Sequence, residues 1–242
     1  MNNSYYETID KNFNEALRLM EKSFSYQELI IMLKDGNIPQ KQLAALSLNE
    51  LKSSEDAEIL LNNLVGQDGK IREAVSLKIR ELTAIPNYKK YFLSLEKEIL
   101  TQYFLDAIID INGNICRNIL DTIIYFKHNE DFVNLFISKL IKLTNSLINK
   151  INDFDYKTGK YIVNKEVFKL YWCLEAINVY YDKIPSQELK NILLLLKTVE
   201  EYTIREKAAQ ILTHDYTDTE ILAFKDELIN DENYYVRRIF KS

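Results

Sequence analysis

The chain has 242 residues, and 47% of them are hydrophobic against 28% charged, which excludes an intrinsically disordered protein. Only 5 glycines and 3 prolines are present, too few for the many tight turns of an α/β enzyme of this length. The formal net charge of −5 argues against a nucleic-acid-binding domain, which usually carries a basic surplus that neutralises phosphates. These values favour an all-α protein with short polar connections between its helices.

Neither the first residues nor the apolar runs of the sequence indicate a membrane protein. The opening MNNSYYETIDKNFNE lacks the order of a signal peptide, in which basic residues precede an apolar stretch. Apolar runs such as Ile192–Leu196 are far shorter than the roughly 20 residues that span a bilayer. Cys116 and Cys173 lie in apolar helical segments and fit a reducing compartment better than a disulfide scaffold. We therefore expect a cytoplasmic protein without a membrane partner.

Internal repeats are the strongest signal in the sequence. In chain order, similar starts occur in IPQKQLAALSLNEL (38–51), DGKIREAVSLKIREL (68–82), GNICRNILDTIIYF (113–126), YTIREKAAQILTH (202–214) and NYYVRRIFKS (233–242). Each segment carries a basic residue near its start, and these residues, which we call the basic column, are Lys41, Arg72, Arg117, Arg205 and Arg237. The intervals are 31 (41 to 72), 45 (72 to 117), 88 (117 to 205) and 32 residues (205 to 237). The 88-residue interval predicts one degenerate repeat, whose second helix is Val163–Tyr181.

A further amphipathic segment precedes each of these helices. In chain order the segments are Tyr26–Lys34, Glu55–Leu64, Leu95–Ile111, Glu130–Ile151, Ser186–Thr198 and Thr219–Ile229. Apolar residues in 130–151 recur at steps of three and four on a wide face, which suits a helix that contacts two neighbours. Helix pairs at a repeating interval are typical of a solenoid, because each pair buries its apolar surface against the next. The pattern predicts at least about ten helices.

The repeat resembles the HEAT type, whose second helix opens with a polar or acidic turn followed by Val-Arg, small residues and a Leu. The three nearest matches are Ile71-Arg72-Glu73, Ile204-Arg205-Glu206 and Val236-Arg237 after Asp231. The resemblance covers about residues 25–242 and implies an armadillo-type fold. It implies one α-solenoid domain over 1–242, built from about five to six antiparallel helix pairs. It further implies a non-catalytic scaffold that binds a partner protein on its concave face.

The basic column allows two interpretations. In HEAT-like repeats the arginine resembles a structural residue that pairs with an acidic group of the adjacent turn, and Asp68 and Asp231 stand where such partners would be. Alternatively, the column forms a line of cations along one edge that recognises an acidic surface or phosphates. We favour the structural interpretation, so Arg72→Ala and Arg205→Ala are expected to lower stability.

Candidate partner-binding residues follow from the same alignment. Positions eight residues after the column lie two turns further along a helix. These positions are Asn49, Arg80, Tyr125 and Thr213. The predicted partner-binding set contains these four residues and the column residues Lys41, Arg72, Arg117 and Arg205. Because Arg and aromatic residues concentrate interface energy, Arg80 and Tyr125 are the expected anchors.

Two further segments carry expectations. In 151–163, polar residues alternate with Phe154, Tyr156 and Tyr161 around the turn Lys157–Gly159. This pattern predicts a β-hairpin insertion that contacts the partner or, alternatively, a tolerated long loop between paired helices. At the C-terminal end, the last helix is short and is expected to leave apolar side chains exposed, namely Tyr234, Tyr235, Ile239 and Phe240. Either this end folds back on itself, or two copies of the chain pair there as a homodimer.

The sequence singles out no catalytic residue, metal site or cofactor. His128 and His214 are far apart, and no phosphate-binding, dinucleotide-binding or hydrolase motif is present. Two alternatives to a scaffold stay open. HEAT-like arrays include the bilin lyases and the alkylpurine DNA glycosylases, and a small acidic helical-repeat protein also suits an immunity-type inhibitor of a basic toxin.

Overall fold

The computed structural model describes residues 3–153 and 160–241. Within these ranges the chain forms fourteen α-helices and one short 3-10 helix (Arg238–Lys241), with no β-strand. The α-helices are α1 (Asn3–Met20), α2 (Tyr26–Asp35), α3 (Ile38–Ser47), α4 (Ser54–Leu61), α5 (Gly69–Thr83), α6 (Pro86–Leu93), α7 (Lys97–Ile108), α8 (Gly113–Ile124), α9 (Glu130–Asn152), α10 (Lys160–Val179), α11 (Ser186–Leu196), α12 (Tyr202–Ile211), α13 (Thr219–Ile229) and α14 (Tyr234–Arg237). The predicted all-α class is confirmed. None of the helices in the described ranges combines the length and apolar character needed to cross a membrane.

The helices belong to two compact units. Unit 1 contains Met1–Ala107 and Asn112–Tyr125, and unit 2 contains Ile108–Ile111 and Phe126–Ser242. The sequence-based expectation of one domain over 1–242 stays a prediction.

In unit 1 the second helices of successive pairs form one layer, and α2, α4 and α6 form another. Helix α3 packs on α5 and α5 on α8, while α2 packs on α4 and α4 on α6. Helix α1 lies against α3. Ala44, Ala45 and Ser76 are fully buried on α3 and α5, where small side chains let the helices of this layer approach closely.

Unit 2 repeats this arrangement. Helices α10, α12 and α14 pack in order as one layer, and α9, α11 and α13 as the other. A chain of buried aromatic rings joins the start of the unit to α9 and α10, with centroid distances of 5.0 Å (Phe126–Phe132), 5.4 Å (Phe132–Phe136) and 5.6 Å (Phe136–Tyr180). Such tilted and stacked pairs add to the stabilisation from burial.

Local sequence signals fix where several helices begin. Ser25 and Ser53 form capping boxes with Glu28 and Asp56, so the first backbone N–H groups of α2 and α4 find acceptors. Asn37 does the same for α3 with Gln40. The turn before α5 contains Gly66 in the left-handed region at φ 75°, where a side chain would be strained.

Most predicted helices are present with boundaries within a few residues, and the degenerate repeat is α10. Two helices, α1 and α6, were not predicted. Helix α6 opens with Pro86 at its first position and lies between α5 and α7. This additional helix accounts for the 45-residue interval between Arg72 and Arg117.

The predicted hairpin is wrong in its second strand. The chain is helical from Lys160 onward, so Tyr161 lies in α10. The apparent alternation of polar and apolar residues there is short enough to fit a helix as well. Phe154, Tyr156 and the turn Lys157–Gly159 lie outside the described residues.

Candidate partner-binding surfaces

Two residues of the basic column connect successive helix pairs. The Lys41 Nζ of α3 donates to Asn63 Oδ1 at 2.9 Å, and Asn63 lies in the connection between α4 and α5. The Arg205 guanidinium of α12 donates to both carboxylate oxygens of Asp231, at 2.7 Å (Nε–Oδ2) and 3.1 Å (NH2–Oδ1). Asp231 lies in the connection between α13 and α14. In both cases the cation of one second helix holds the linker within the next pair. The partner of Arg205 is acidic, as the structural interpretation predicts, whereas Lys41 binds an amide oxygen.

Burial and hydrogen bonding act in opposite directions on the Asp231 carboxyl. Burial alone would raise its pKa, but the hydrogen bonds from Arg205 and from the backbone N–H of Asn233 outweigh it, so the pKa of Asp231 lies below its ordinary value. The same pairing raises the pKa of Arg205. Arg237 follows a different pattern and donates to the backbone carbonyl oxygens of Asp231 and Glu232.

Arg72 and Arg117 differ in their exposure to solvent. Arg72 is half-buried on α5, and Arg117 is exposed on α8. Asp68, the acidic residue expected to pair with the column, caps α5 instead, because its Oδ1 accepts the backbone N–H of Lys70 at 2.9 Å.

In unit 1 the structure brings three of the predicted interface residues together. Arg80 NH1 lies 3.4 Å from Asp121 Oδ2, which joins α5 to α8. Arg117 and Asp121 are four residues apart and share one face of α8, and Tyr125, four residues later, is the C-cap residue directly after this helix. The Tyr125 side chain is 40% exposed, and its backbone carbonyl accepts Lys89 Nζ at 3.1 Å. We call Arg80, Arg117, Asp121 and Tyr125 the α5–α8 face.

Asn49 and Thr213 lie outside the helices. This corrects the prediction from the sequence, which placed both residues two turns along a second helix. Helices α3 and α12 have only 10 residues each and end at Ser47 and Ile211, so both residues lie in the connections that follow. Leu48 is already extended, with φ −74° and ψ 104°. Both side chains are exposed.

Unit 2 carries an aromatic surface at the N-terminal ends of α12 and α14. Tyr202, Tyr234 and Tyr235 are 40%, 63% and 48% exposed. Their rings form a row, since the Tyr202–Tyr235 centroids are 6.2 Å apart and the Tyr234–Tyr235 centroids 5.7 Å apart. The Arg238 guanidinium lies 4.8 Å from the centroid of Tyr235 and also contacts Glu206 at 3.4 Å. We call Tyr202, Tyr234, Tyr235 and Arg238 the tyrosine edge.

A cleft of about 480 Å³ adjoins this edge. It is lined by Asn164 of α10, by Arg205, and by residues at the starts of α12 and α14, which are Glu200, Glu201, Tyr202, Glu232 and Asn233. Arg205, predicted from the basic column, thus lies beside the exposed tyrosines. The C-terminal prediction is confirmed in that Tyr234 and Tyr235 expose apolar surface, while Ile239 and Phe240 are half-buried.

The sequence contained a signal for the tyrosine edge that the alignment of basic residues did not use. Tyr202 precedes Arg205 by three residues, and Tyr234 precedes Arg237 by three. Aromatic residues therefore occupy the same repeat position in the last two pairs, where the earlier pairs have Ile38, Gly69 and Asn114.

A polar cluster lies at the other end of α12. The ring of His214 stacks on Tyr181 with centroids 3.4 Å apart and an 8° angle between the planes, and its Nε2 lies 3.0 Å from Asn178 Oδ1. Burial lowers the pKa of His214, although the nearby carboxylates of Asp182 and Asp215 partly oppose this. Across 3–153 and 160–241, no three His, Cys, Asp or Glu side chains are arranged to hold a metal ion.

Comparison with protein-family models and with curated proteins gave no match. Among solved structures, the chain is similar to a crystal structure of an engineered protein from the Northeast Structural Genomics Consortium, with a TM-score of 0.52 and 12% sequence identity. The alignment covers 90% of this chain and 96% of the engineered one. At this identity the likeness concerns the fold alone.

Proposed function

We propose that the chain is a non-catalytic protein-binding module that contacts its partner through the tyrosine edge of unit 2. The observation that carries this proposal is the row of three exposed tyrosines in ring contact, bordered by Arg238 and by the cleft that contains Arg205. Tyrosine and arginine are the residue types in which interface energy concentrates, because each buries a large area while keeping a polar group that can bond.

The packing beneath the edge supports this use. Arg205 is held by Asp231, and Arg237 is held by backbone carbonyl groups of the same linker, so α12 and α14 are fixed relative to each other. Asn233 caps α14 by accepting the backbone N–H of Tyr235 at 2.9 Å. The rings are therefore presented from a rigid support, which reduces the conformational entropy lost on binding.

The resemblance to HEAT-like repeats supports a binding role for the same chain, and the α5–α8 face of unit 1 offers a further contact. An enzyme on this fold and an immunity-type inhibitor remain the alternatives. Copurification with mass spectrometry separates them. A stoichiometric protein supports binding or inhibition, whereas a bound chromophore or nucleic-acid fragment supports an enzyme.

The decisive test uses the partner identified in this way, once it is purified. We expect Tyr202→Ala combined with Tyr235→Ala to weaken binding about thirtyfold in calorimetry, equivalent to about 2 kcal/mol. Tyr88→Ala on α6 serves as a matched control, since Tyr88 is also partly exposed and lies in unit 1. Unchanged binding by the double variant, with an unchanged thermal unfolding curve, would contradict the assignment of this surface.

A further inference from the structure

We propose that the tyrosine edge receives a basic segment of the partner, with a Lys or Arg side chain entering the adjoining cleft. The inference rests on the proposed binding function and adds the chemistry of the partner. An exposed aromatic face gives affinity for many surfaces, so the charges around it decide which partner fits.

The charge of the cleft is unbalanced. Glu200, Glu201 and Glu232 line it, and the Glu232 side chain is 91% exposed, with its Oε1 3.7 Å from NH2 of Arg205. Among the described residues that line it, Arg205 is the one cation, and both carboxylate oxygens of Asp231 already accept from its guanidinium. The carboxylates facing the cleft therefore exceed the positive charge available to them, which attracts a cation.

The neighbouring arginines do not restore the balance. Arg238 is engaged by Glu206, and Arg237 by backbone carbonyl oxygens. The charge of Arg237 is therefore directed at the protein itself, and the charge of Arg238, whose side chain is 50% exposed, is balanced by Glu206.

The edge also shows how a guanidinium sits on these rings. Arg238 lies 4.8 Å from the centroid of Tyr235, within the distance of a cation–π contact. Tyr202 and Tyr234 present similar rings with larger or comparable exposed area, and both lie at the start of the helices that border the cleft. A partner's Arg or Lys can therefore contact a ring and a carboxylate together.

The same charges disfavour the other candidates for this surface. An acidic peptide or a nucleic acid would meet like charge at the cleft. A two-fold pair of identical chains would place each patch against its own copy, so that Glu200, Glu201 and Glu232 would face the same carboxylates. An inhibitor that covers a basic protein is one form that the proposed complex would take.

Two synthetic peptides of equal length serve as probes for the full chain, one alternating Gly with Lys and Arg, the other alternating Gly with Asp and Glu. At low salt, we expect the basic peptide to shift the NMR signals of Tyr202, Glu232 and Tyr235, and the acidic peptide to leave them unchanged. We expect the triple variant Glu200→Gln, Glu201→Gln, Glu232→Gln to bind the basic peptide about tenfold more weakly. The matched control neutralises three exposed acids of unit 1, Glu55→Gln, Glu58→Gln, Glu96→Gln, with the same change in net charge.

Equal weakening by the control triple variant would overturn the inference, because net charge would then explain the binding. Stronger binding of the acidic peptide would overturn it as well. The inference would also be overturned if light scattering showed a dimer that Tyr235→Ala dissociates, because a second copy of the chain would then occupy the surface. If the tyrosine variants weaken binding of the purified partner and the triple Gln variant does not, the proposed function stands and the basic partner is excluded. If neither set weakens binding, both proposals fail.

Discussion

Arg205 and Asp231 form a two-point ion pair that joins α12 to the linker of the following helix pair. The Arg205 side chain is 18% exposed and that of Asp231 only 7%, so the pair is largely removed from water. Removing one partner of a shielded pair leaves the other without compensation, which costs more than the intact pair contributes.

Arg205→Ala is therefore expected to lower the free energy of unfolding by about 2 kcal/mol. Asp231→Asn should have a similar effect, since it removes the charge and one strong acceptor while keeping the shape. Urea unfolding followed by circular dichroism measures both. Arg117→Ala is the matched control, because Arg117 occupies the same repeat position but is exposed. Losses of equal size in Arg205→Ala and Arg117→Ala would contradict the structural role of the pair.

Asn63 makes the corresponding connection in unit 1 and is 3% exposed. Its Nδ2 donates to the carbonyl oxygens of Leu33 and Ile59 at 3.0 and 2.8 Å, and its Oδ1 accepts Lys41 Nζ. Asn63→Ala removes all three bonds and is expected to cost about 2 to 3 kcal/mol in chemical unfolding. The exposed neighbour Asn62→Ala supplies the comparison, although it removes one hydrogen bond to Tyr103. A smaller effect at Asn63 than at Asn62 would be inconsistent with this linkage.

Arg80→Ala and Tyr125→Ala test the α5–α8 face. The Arg80–Asp121 pair spans 3.4 Å with side chains 36% and 45% exposed, and such surface pairs contribute about 1 kcal/mol or less. Each variant should therefore change the free energy of unfolding by less than about 1 kcal/mol while weakening binding to an identified partner. Calorimetric binding and thermal unfolding on the same samples separate the two effects. If the variants unfold, or if they bind the partner normally, the α5–α8 face is not a partner-binding surface.

His214 is expected to make stability depend on pH in the weakly acidic range. Its pKa in the folded protein lies below the ordinary 6.5, so the unfolded chain binds more protons between the two values. Stability should fall as pH decreases below about 6.5, and the loss should end once pH passes the lowered pKa. His214→Phe keeps a ring against Tyr181 without a titrating group and should lack this part of the pH dependence. Coincident pH profiles of urea midpoints for the two proteins would refute it.

The helices could be predicted well from the sequence because each pair repeats the same short-range sequence signals. The basic residue, the small residues after it and the capping residues act within a few positions of one another, so one alignment located α3, α5, α8 and α12. Helix α13 was predicted with its observed boundaries, Thr219–Ile229.

Side-chain partners were harder to predict, because they depend on how one pair lies against the next. Asp68 and Asp231 have similar positions in their repeats, but Asp68 caps its own helix and Asp231 binds Arg205. The contact of Tyr202 with the exposed tyrosines of α14 was not predicted for the same reason. Tyr202 and Tyr235 are 33 residues apart in sequence (202 to 235) and meet only when α14 packs on α12.

The order of packing also has consequences for folding kinetics. In unit 2 the main contacts of each helix are with the next helix along the chain or the one after it. Because few residues separate the partners along the chain, little loop entropy is lost when two helices meet. We therefore expect folding rates typical of helical proteins with local contacts. Neighbouring pairs of unit 2 are in contact, so structure formed in one pair can extend to the next. A substitution that destabilises one pair should therefore raise the hydrogen-exchange rates of the adjacent helices more than those of distant helices.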